Sequence, residues 1–374
     1  MNSLSDFVAF GATFKKEHTM KKTILSIGLV IILAAWGSSR LAARQKFENL
    51  FYYTDSETSF KSFTEHIGSI SIVAPQAYSV DDGGIVWGTI DPRIVELAAQ
   101  HHVGVMPLIV NPGFDQAMLH RLLVNERSRR RAIASMVELC DRNKFLGIQF
   151  DFENLHINDK DAFTQFYRET ADALHQKGFQ LSAAVVHRPD ELAGPTGYFK
   201  WLFENWRAGY DLAELAKIGD FLSVMTYSQH TRRTTPGPNA GIPWVTQVVE
   251  YFLKFVPPEK LSLGIPLGSQ HWYTMLDTAR FFASAHSWSS SLDFPSAMTL
   301  AERFKAKVEW SSTQKVPFAM FDNGGLFEYL YFEDGRSFIA KHDLMKLHKL
   351  RGFSAWAIGI EDPAIWKSLP KVSR

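Results

Sequence analysis

From Phe47 onward the chain alternates short apolar runs with longer stretches in which apolar residues recur at spacings of three and four. Short runs of this kind read as buried strands and the longer stretches as amphipathic helices. Their regular alternation is the pattern of βα units around a parallel sheet. Strands are predicted at Leu50 to Thr54, Ser69 to Ala74, Val103 to Val110, Phe145 to Phe152, Gln180 to Val186, Phe221 to Tyr227, Leu261 to Pro266 and Phe353 to Ile360. Helices are predicted at Pro92 to His101, Gln116 to Asn143, Lys160 to Lys177, Val245 to Phe255 and Phe338 to Leu350. Eight alternations predict an α/β fold closed into a (β/α)8 TIM barrel.

The rhythm breaks over about 267–335, which holds Trp272, Tyr273, Trp288 and Trp310 with strand-like runs at Val316 to Phe321 and Phe327 to Phe332. A small α+β insertion after the seventh strand is expected there. Barrel enzymes build their sites from the loops that follow the strands, so these aromatics form either one wall of a cleft or a plain subdomain core.

Ahead of the barrel, Met20-Lys21-Lys22 precedes an apolar run from Ile24 to Trp36, then small residues and Leu41-Ala42-Ala43. This is the layout of a secretory signal, with Met20 as a possible true start. The run is shorter than the roughly 20 residues that span hydrocarbon, which favours a cleaved signal over a membrane anchor. Both place the barrel, residues 44–374, outside the cytoplasm. The segment 1–43 is thus expected to be an export signal or a tether to the cytoplasmic membrane.

Composition narrows the function classes. With 374 residues, 46% hydrophobic and 13% aromatic, the chain can fill a large core. Lys and Arg number 40 against 39 Asp and Glu, leaving no long-range field to gather nucleic acid or an anionic membrane surface. The cluster Arg127, Arg129, Arg130 and Arg131 reads as a solvated helix face. Cys140 is the only cysteine, which excludes an intramolecular disulfide and a cysteine-cluster zinc site. His101, His102, His187, His230 and His271 fall at no ligand spacing with carboxylates, so no metal site is expected. The absence of glycine-rich phosphate loops and of a nucleophile elbow removes dinucleotide, nucleotide and serine-hydrolase readings, and no cofactor is implied.

The chemistry concentrates in Gly147-Ile148-Gln149-Phe150-Asp151-Phe152-Glu153-Asn154. Strand alternation puts Gln149, Asp151 and Glu153 on one face and the apolar residues on the other. Burying two ionised carboxylates without cations costs several kcal/mol, about as much as many domains have to spare, so a stability role does not explain them. Close carboxylates cannot both ionise cheaply, and a Glu153 kept protonated near neutral pH is a competent general acid. Glycoside hydrolysis ordinarily needs a second carboxyl group across the scissile bond, whereas these two approach from one side. A substrate with a 2-acetamido group supplies the missing nucleophile through its carbonyl oxygen, with a neighbouring Asp orienting the amide.

This segment resembles the fourth-strand signature DxxDxDxE of glycoside hydrolase family 18, the chitinase family. Leu146, Gln149, Asp151 and Glu153 stand at its four marked positions. GIQFDFEN is most similar to the branch that lyses spore cortex and peptidoglycan. The resemblance runs from about Phe51 to Trp366 and includes APQAY (Ala74 to Tyr78), VMPLIVNPGFD (Val105 to Asp115), VMTYSQH (Val224 to His230), LGIPL (Leu263 to Leu267), YFEDGRSFIAKH (Tyr331 to His342) and GFSAWAIGIEDPAIW (Gly352 to Trp366). It implies that Glu153 is the acid/base, that Asp151 holds the acetamido nitrogen and that Gln149 supports Asp151 by a hydrogen bond. It further implies that the Tyr227 hydroxyl binds the acetamido carbonyl and that Trp356 floors the central sugar subsite. An aromatic ring suits a sugar face, and a phenol donor suits charge growing on an amide oxygen. Further substrate-binding candidates are Gln76, Tyr78, Asn111 and Trp272, with Glu361 also near a strand end.

Ser228 stands where many members have Asp, and Leu146 replaces an outer carboxylate. The expected activity is cleavage of β-linked N-acetylglucosamine glycans, peptidoglycan before chitin-type chains, by substrate-assisted retention. The rival is a chitinase-like protein that binds the polysaccharide without turnover.

Overall fold

The computed structural model describes residues 47–232, 234–277 and 284–372. The expected signal or tether, with its apolar run from Ile24 to Trp36, lies outside the described residues. Among those described, no helix is long and apolar enough to cross a membrane.

Eight parallel strands form the barrel: β1 (Glu48–Tyr53), β2 (Ile72–Val80), β3 (Leu108–Val110), β4 (Gly147–Asp151), β5 (Gln180–Val186), β6 (Phe221–Met225), β7 (Leu261–Pro266) and β8 (Gly352–Trp356). Each pairs with the next, and β8 pairs with β1 through Phe51 and Ala355, which closes the ring. All eight predicted strands are present. The third is split, with Gly104–Val105 pairing β2 on its own, because Pro107 has no N–H to give the ladder between the two pieces.

The helix predicted over Gln116 to Asn143 is two helices, Gln116–Val124 and Glu126–Asn143. Asn125 between them has extended backbone and caps the second, its side chain accepting the Ser128 N–H at 3.2 Å. The arginine-rich face is only partly solvated. Arg127, Arg130 and Arg131 are exposed, but Arg129 is buried, gripping Glu169 at 2.8 and 3.1 Å and the Leu123 carbonyl at 2.7 Å.

Alternation along the strands sends two sets of side chains in opposite directions. Phe51, Ile148, Phe150, Phe152 and Phe353 join the large apolar layer shared with the helices. Leu50, Tyr52, Ala74, Met106 and Leu108 form a separate, smaller cluster. With that smaller set runs a buried polar ladder in which Gln149 Nε2 donates to Ser182 Oγ at 2.9 Å and to Ser223 Oγ at 3.3 Å, and Ser223 and Ser262 reach Ser354 at 2.8 and 2.6 Å.

Between β7 and β8 the chain builds a five-stranded antiparallel sheet, in the order Ser284–Leu292, Ser269–Asp277, Leu326–Tyr331, Val316–Asn323, Val308–Ser311, and a helix at Phe294–Arg303. Ala297, Ala301, Ala319, Phe321, Leu330 and Phe332 give it a small core of its own.

Candidate active site

A cavity of about 820 Å³ opens where the carboxyl ends of the strands meet their loops. Tyr52, Gln76, Asp151, Glu153, Tyr227 and Trp356 all line it, and they come from β1, β2, β4, the end of β6, and β8. Five residues predicted from sequence or aligned by resemblance thus meet in one space: Gln76, Asp151, Glu153, Tyr227 and Trp356.

Asp151 ends β4, and Glu153 stands where the chain leaves the barrel. Asn111, just past β3, fixes that exit: its Nδ2 donates to the Glu153 carbonyl at 2.8 Å and its Oδ1 accepts the Glu153 N–H at 3.0 Å. Asn154 then turns the chain with a φ of 54°, a left-handed conformation that asparagine tolerates better than most residues. Its Nδ2 donates to the Phe114 carbonyl at 2.9 Å, and Gln116 Nε2 reaches the Asn154 carbonyl at 3.0 Å. From the other side the Tyr210 hydroxyl donates to the Phe152 carbonyl at 2.7 Å. Glu153 is therefore carried on a loop whose backbone hydrogen bonds are satisfied by neighbouring residues.

Burial raises both carboxyl groups well above the usual range, and the charge of Asp151 raises Glu153 further. The pair therefore retains a proton near neutral pH. Burial also lifts the Tyr227 phenol far above its ordinary value, with Tyr52, Asp151 and Glu153 adding to it, so Tyr227 remains a donor. The Trp356 ring lies 5.4 Å from the Tyr52 ring at 55°, which fixes one side of the indole while the rest lines the cavity. Ser228 also lines it, with left-handed backbone and its N–H held by Asn239 Oδ1 at 2.7 Å.

Five sequence candidates are placed differently from expectation. Tyr78 is buried in the outer apolar layer because β2 bulges between Gln76 and Tyr78, so the two do not share a face. Trp272 is 1% exposed within the insertion, which gives the cavity Ser269, Gln270 and Leu292 instead. Asn111 is fully buried and acts on Glu153's backbone, outside the cavity lining. Gln149 makes no hydrogen bond to Asp151: its amide nitrogen serves Ser182 and Ser223, and its Oε1 has no partner. Glu361 is likewise outside the cavity, accepting from Ser62, the Gly359 N–H and Trp366 Nε1.

One wall went unread in the sequence. The segment after β5 brings His187, Tyr198, Phe199, Trp201, Trp206 and Arg207 to the cavity. Its signal was available as Tyr198, Phe199, Trp201, Phe203 and Trp206 within nine residues, directly after a strand end. Among the described residues no group of three His, Cys, Asp or Glu side chains could hold a metal ion.

The structure is a barrel whose cleft holds a buried carboxyl pair. The model of glycosyl hydrolases family 18 matches residues 36–361, and the chain belongs to that family; it is a glycosidase. Over 359 residues it is 23% identical to the uncharacterized glycosylase YvbX of Bacillus subtilis (strain 168), covering 94% of this chain and 99% of that protein. Over 260 residues it is 30% identical to the cortical fragment-lytic enzyme of the same organism, covering 68% of this chain and 56% of that enzyme. The fold is shared with a chitinase from Chromobacterium violaceum ATCC 12472, with a TM-score of 0.76, 23% identity and coverage of 86% of this chain and 98% of that one. It is shared too with the spore cortex-lytic enzyme SleL of Bacillus cereus, with a TM-score of 0.75, 21% identity and coverage of 86% and 73%.

Proposed function

We propose that this glycosidase cleaves β-linked N-acetylglucosamine glycans, peptidoglycan first and chitin-type chains second, by substrate-assisted retention. One observation carries the mechanism: among the described residues, the proton-sharing pair has no free carboxylate facing it. Asp293, the other carboxylate of the lining, caps the helix Phe294–Arg303 by accepting the Ser296 N–H at 2.7 Å, and Glu361 is tied up outside the cavity. A nucleophile supplied by the sugar's own acetamido group meets that lack.

In this mechanism the acetamido carbonyl oxygen attacks the anomeric carbon as the glycosidic bond breaks, and the Glu153 proton passes to the leaving oxygen. Asp151 accepts the amide N–H, and the Tyr227 hydroxyl donates to the amide carbonyl. Water then opens the oxazolinium ion, returning its proton to Glu153, and the β configuration is kept. Trp356 stacks on the sugar ring whose glycosidic bond is broken. Support for the peptidoglycan preference comes from likeness to the cortical fragment-lytic enzyme. The Lys21-Lys22 and Ile24 to Trp36 pattern supports export or tethering at the membrane, where wall glycan is met.

The test is proton NMR of the first product with N-acetylglucosamine oligomers, alongside inhibition by N-acetylglucosamine thiazoline. A β-anomer formed first and inhibition by the thiazoline are expected. An α-anomer formed first, or indifference to the thiazoline, contradicts the mechanism.

A further inference from the structure

The buried and half-buried arginines of the barrel nearly all hold a carboxylate. Arg129 is bidentate on Glu169, Arg351 on Glu48, and Arg188 meets Glu191 at 3.2 Å while also donating to the Arg207 and Tyr210 carbonyls. Arg207 is the exception. It lines the cavity, its Nε is enclosed without a hydrogen-bond partner, and among the described residues it has no ion pair. Asp190 is near enough to be felt but does not pair with it, and an oxygen of Asp190 is taken by the Leu192 N–H at 2.9 Å. Two more enclosed polar atoms of the same wall, Trp206 Nε1 and His187 Nδ1, also lack partners. Arg232 adds a second, exposed guanidinium to the lining.

Arg207 is half-buried, and its sealed, unpartnered Nε leaves the cation less well solvated than in water; a guanidinium presents a planar fork that matches a carboxylate. A cleft is the one place where a ligand can complete the pair. We propose that Arg207 is an anion-recognising residue of the glycan cleft and that it pairs with a carboxylate carried by the substrate. The proposal rests on the glycan reading given above and deepens it, because N-acetylglucosamine chains carry no carboxylate whereas wall glycans do. Two sources share this chemistry: the 3-O-lactyl carboxylate of a muramic acid residue, and the carboxylates of a stem peptide that amidates it.

The test is calorimetric affinity in the Glu153→Gln background, so that binding is read without turnover. Three ligands are compared: N-acetylglucosamine oligomers, alternating N-acetylglucosamine–N-acetylmuramic acid oligomers stripped of peptide, and the same oligomers with peptide retained. Either of the last two is expected to bind about tenfold or more tightly than the first, and the tighter one names the source. Arg207→Gln should remove that advantage and leave affinity for the neutral oligomer within about twofold, while Arg207→Lys restores part of it. Equal affinity for all three ligands overturns the proposal, as does an equal loss for neutral and charged ligands in Arg207→Gln. If Arg207→Gln does not fold, the unmodified Arg207 site decides: its preference should fade in about 0.5 M salt, and a preference indifferent to salt contradicts an ion pair. A carboxylate preference in a protein whose unmutated form cleaves none of these glycans would sink the hydrolytic mechanism and leave this inference standing.

Discussion

Asn111 holds the backbone of Glu153 from both sides, donating to its carbonyl at 2.8 Å and accepting from its N–H at 3.0 Å. The two residues are 42 positions apart, on the exits of neighbouring strands, so one side-chain amide ties the Glu153 loop to the barrel. A residue at a strand exit has no ladder beyond it to hold its backbone, and this amide substitutes for one.

Asn111→Ala should therefore impair catalysis through position and not through chemistry. We expect kcat to fall about 10- to 100-fold, KM to move by less than about threefold, and stability to drop by about 1–3 kcal/mol from the backbone groups left unpaired. Steady-state kinetics with a urea melt checks this. An unchanged kcat, with stability lowered, would leave Asn111 a purely structural residue.

The shared proton makes folding stability and activity decline together as pH rises. Both carboxyl groups bind a proton more tightly in the folded chain than in the unfolded one, where they release it near pH 4. The stability they confer is complete below that point and is lost as pH rises through their raised folded values. Asp151→Asn and Glu153→Gln should each raise Tm at pH 8, by about 1–3 °C, and change it little at pH 4. Calorimetry at the two pH values measures the difference, and a lower Tm at pH 8 for both variants would show that the pair is not strained by its burial.

Activity should end on its alkaline side as Glu153 loses its proton. The pH profile of kcat/KM is expected to remain high through neutrality, beyond the ordinary carboxylate range, before falling. An alkaline limb that begins near pH 5 would mean that Glu153 titrates as an ordinary glutamate.

Far from the cleft, Lys341 and Glu333 form a buried pair at 2.7 Å, with Ser337 Oγ donating to the same carboxylate oxygen at 2.6 Å. Lys341→Ala strands that carboxylate and should cost about 3–5 kcal/mol, whereas Lys341→Met with Glu333→Leu should be close to neutral. Urea unfolding of the two proteins separates them. Equal losses would assign the effect to packing alone.

Where regular alternation governs, the sequence was informative. The strands Gln180–Val186 and Leu261–Pro266 have the bounds read from their apolar runs, and alternation alone aligned Asp151 with Glu153. The misplacements arise where period two fails. The bulge at Gln76 and Tyr78 sends the tyrosine outward; Pro75 in APQAY marks a strand that departs from regular pairing, but it does not fix where the register shifts. Asn125 looked like one more polar position on a long helix, yet it is the stop that begins a second. Asn111 was legible as a polar residue at a strand end, but whether such a residue faces ligand or backbone depends on what the next strand presents. The aromatic wall around Trp201 and Trp206 lies on an irregular helical segment, where periodicity predicts no face.

The most direct test of the whole account is mass spectrometry of purified peptidoglycan and N-acetylglucosamine oligomers after incubation with residues 44–374, unmutated and as Glu153→Gln. New fragments with N-acetylglucosamine at the reducing end, from the unmutated protein alone, are the predicted result. Fragments of equal yield from both proteins would remove Glu153 from the acid's role, and no fragments from either would contradict the proposed cleavage.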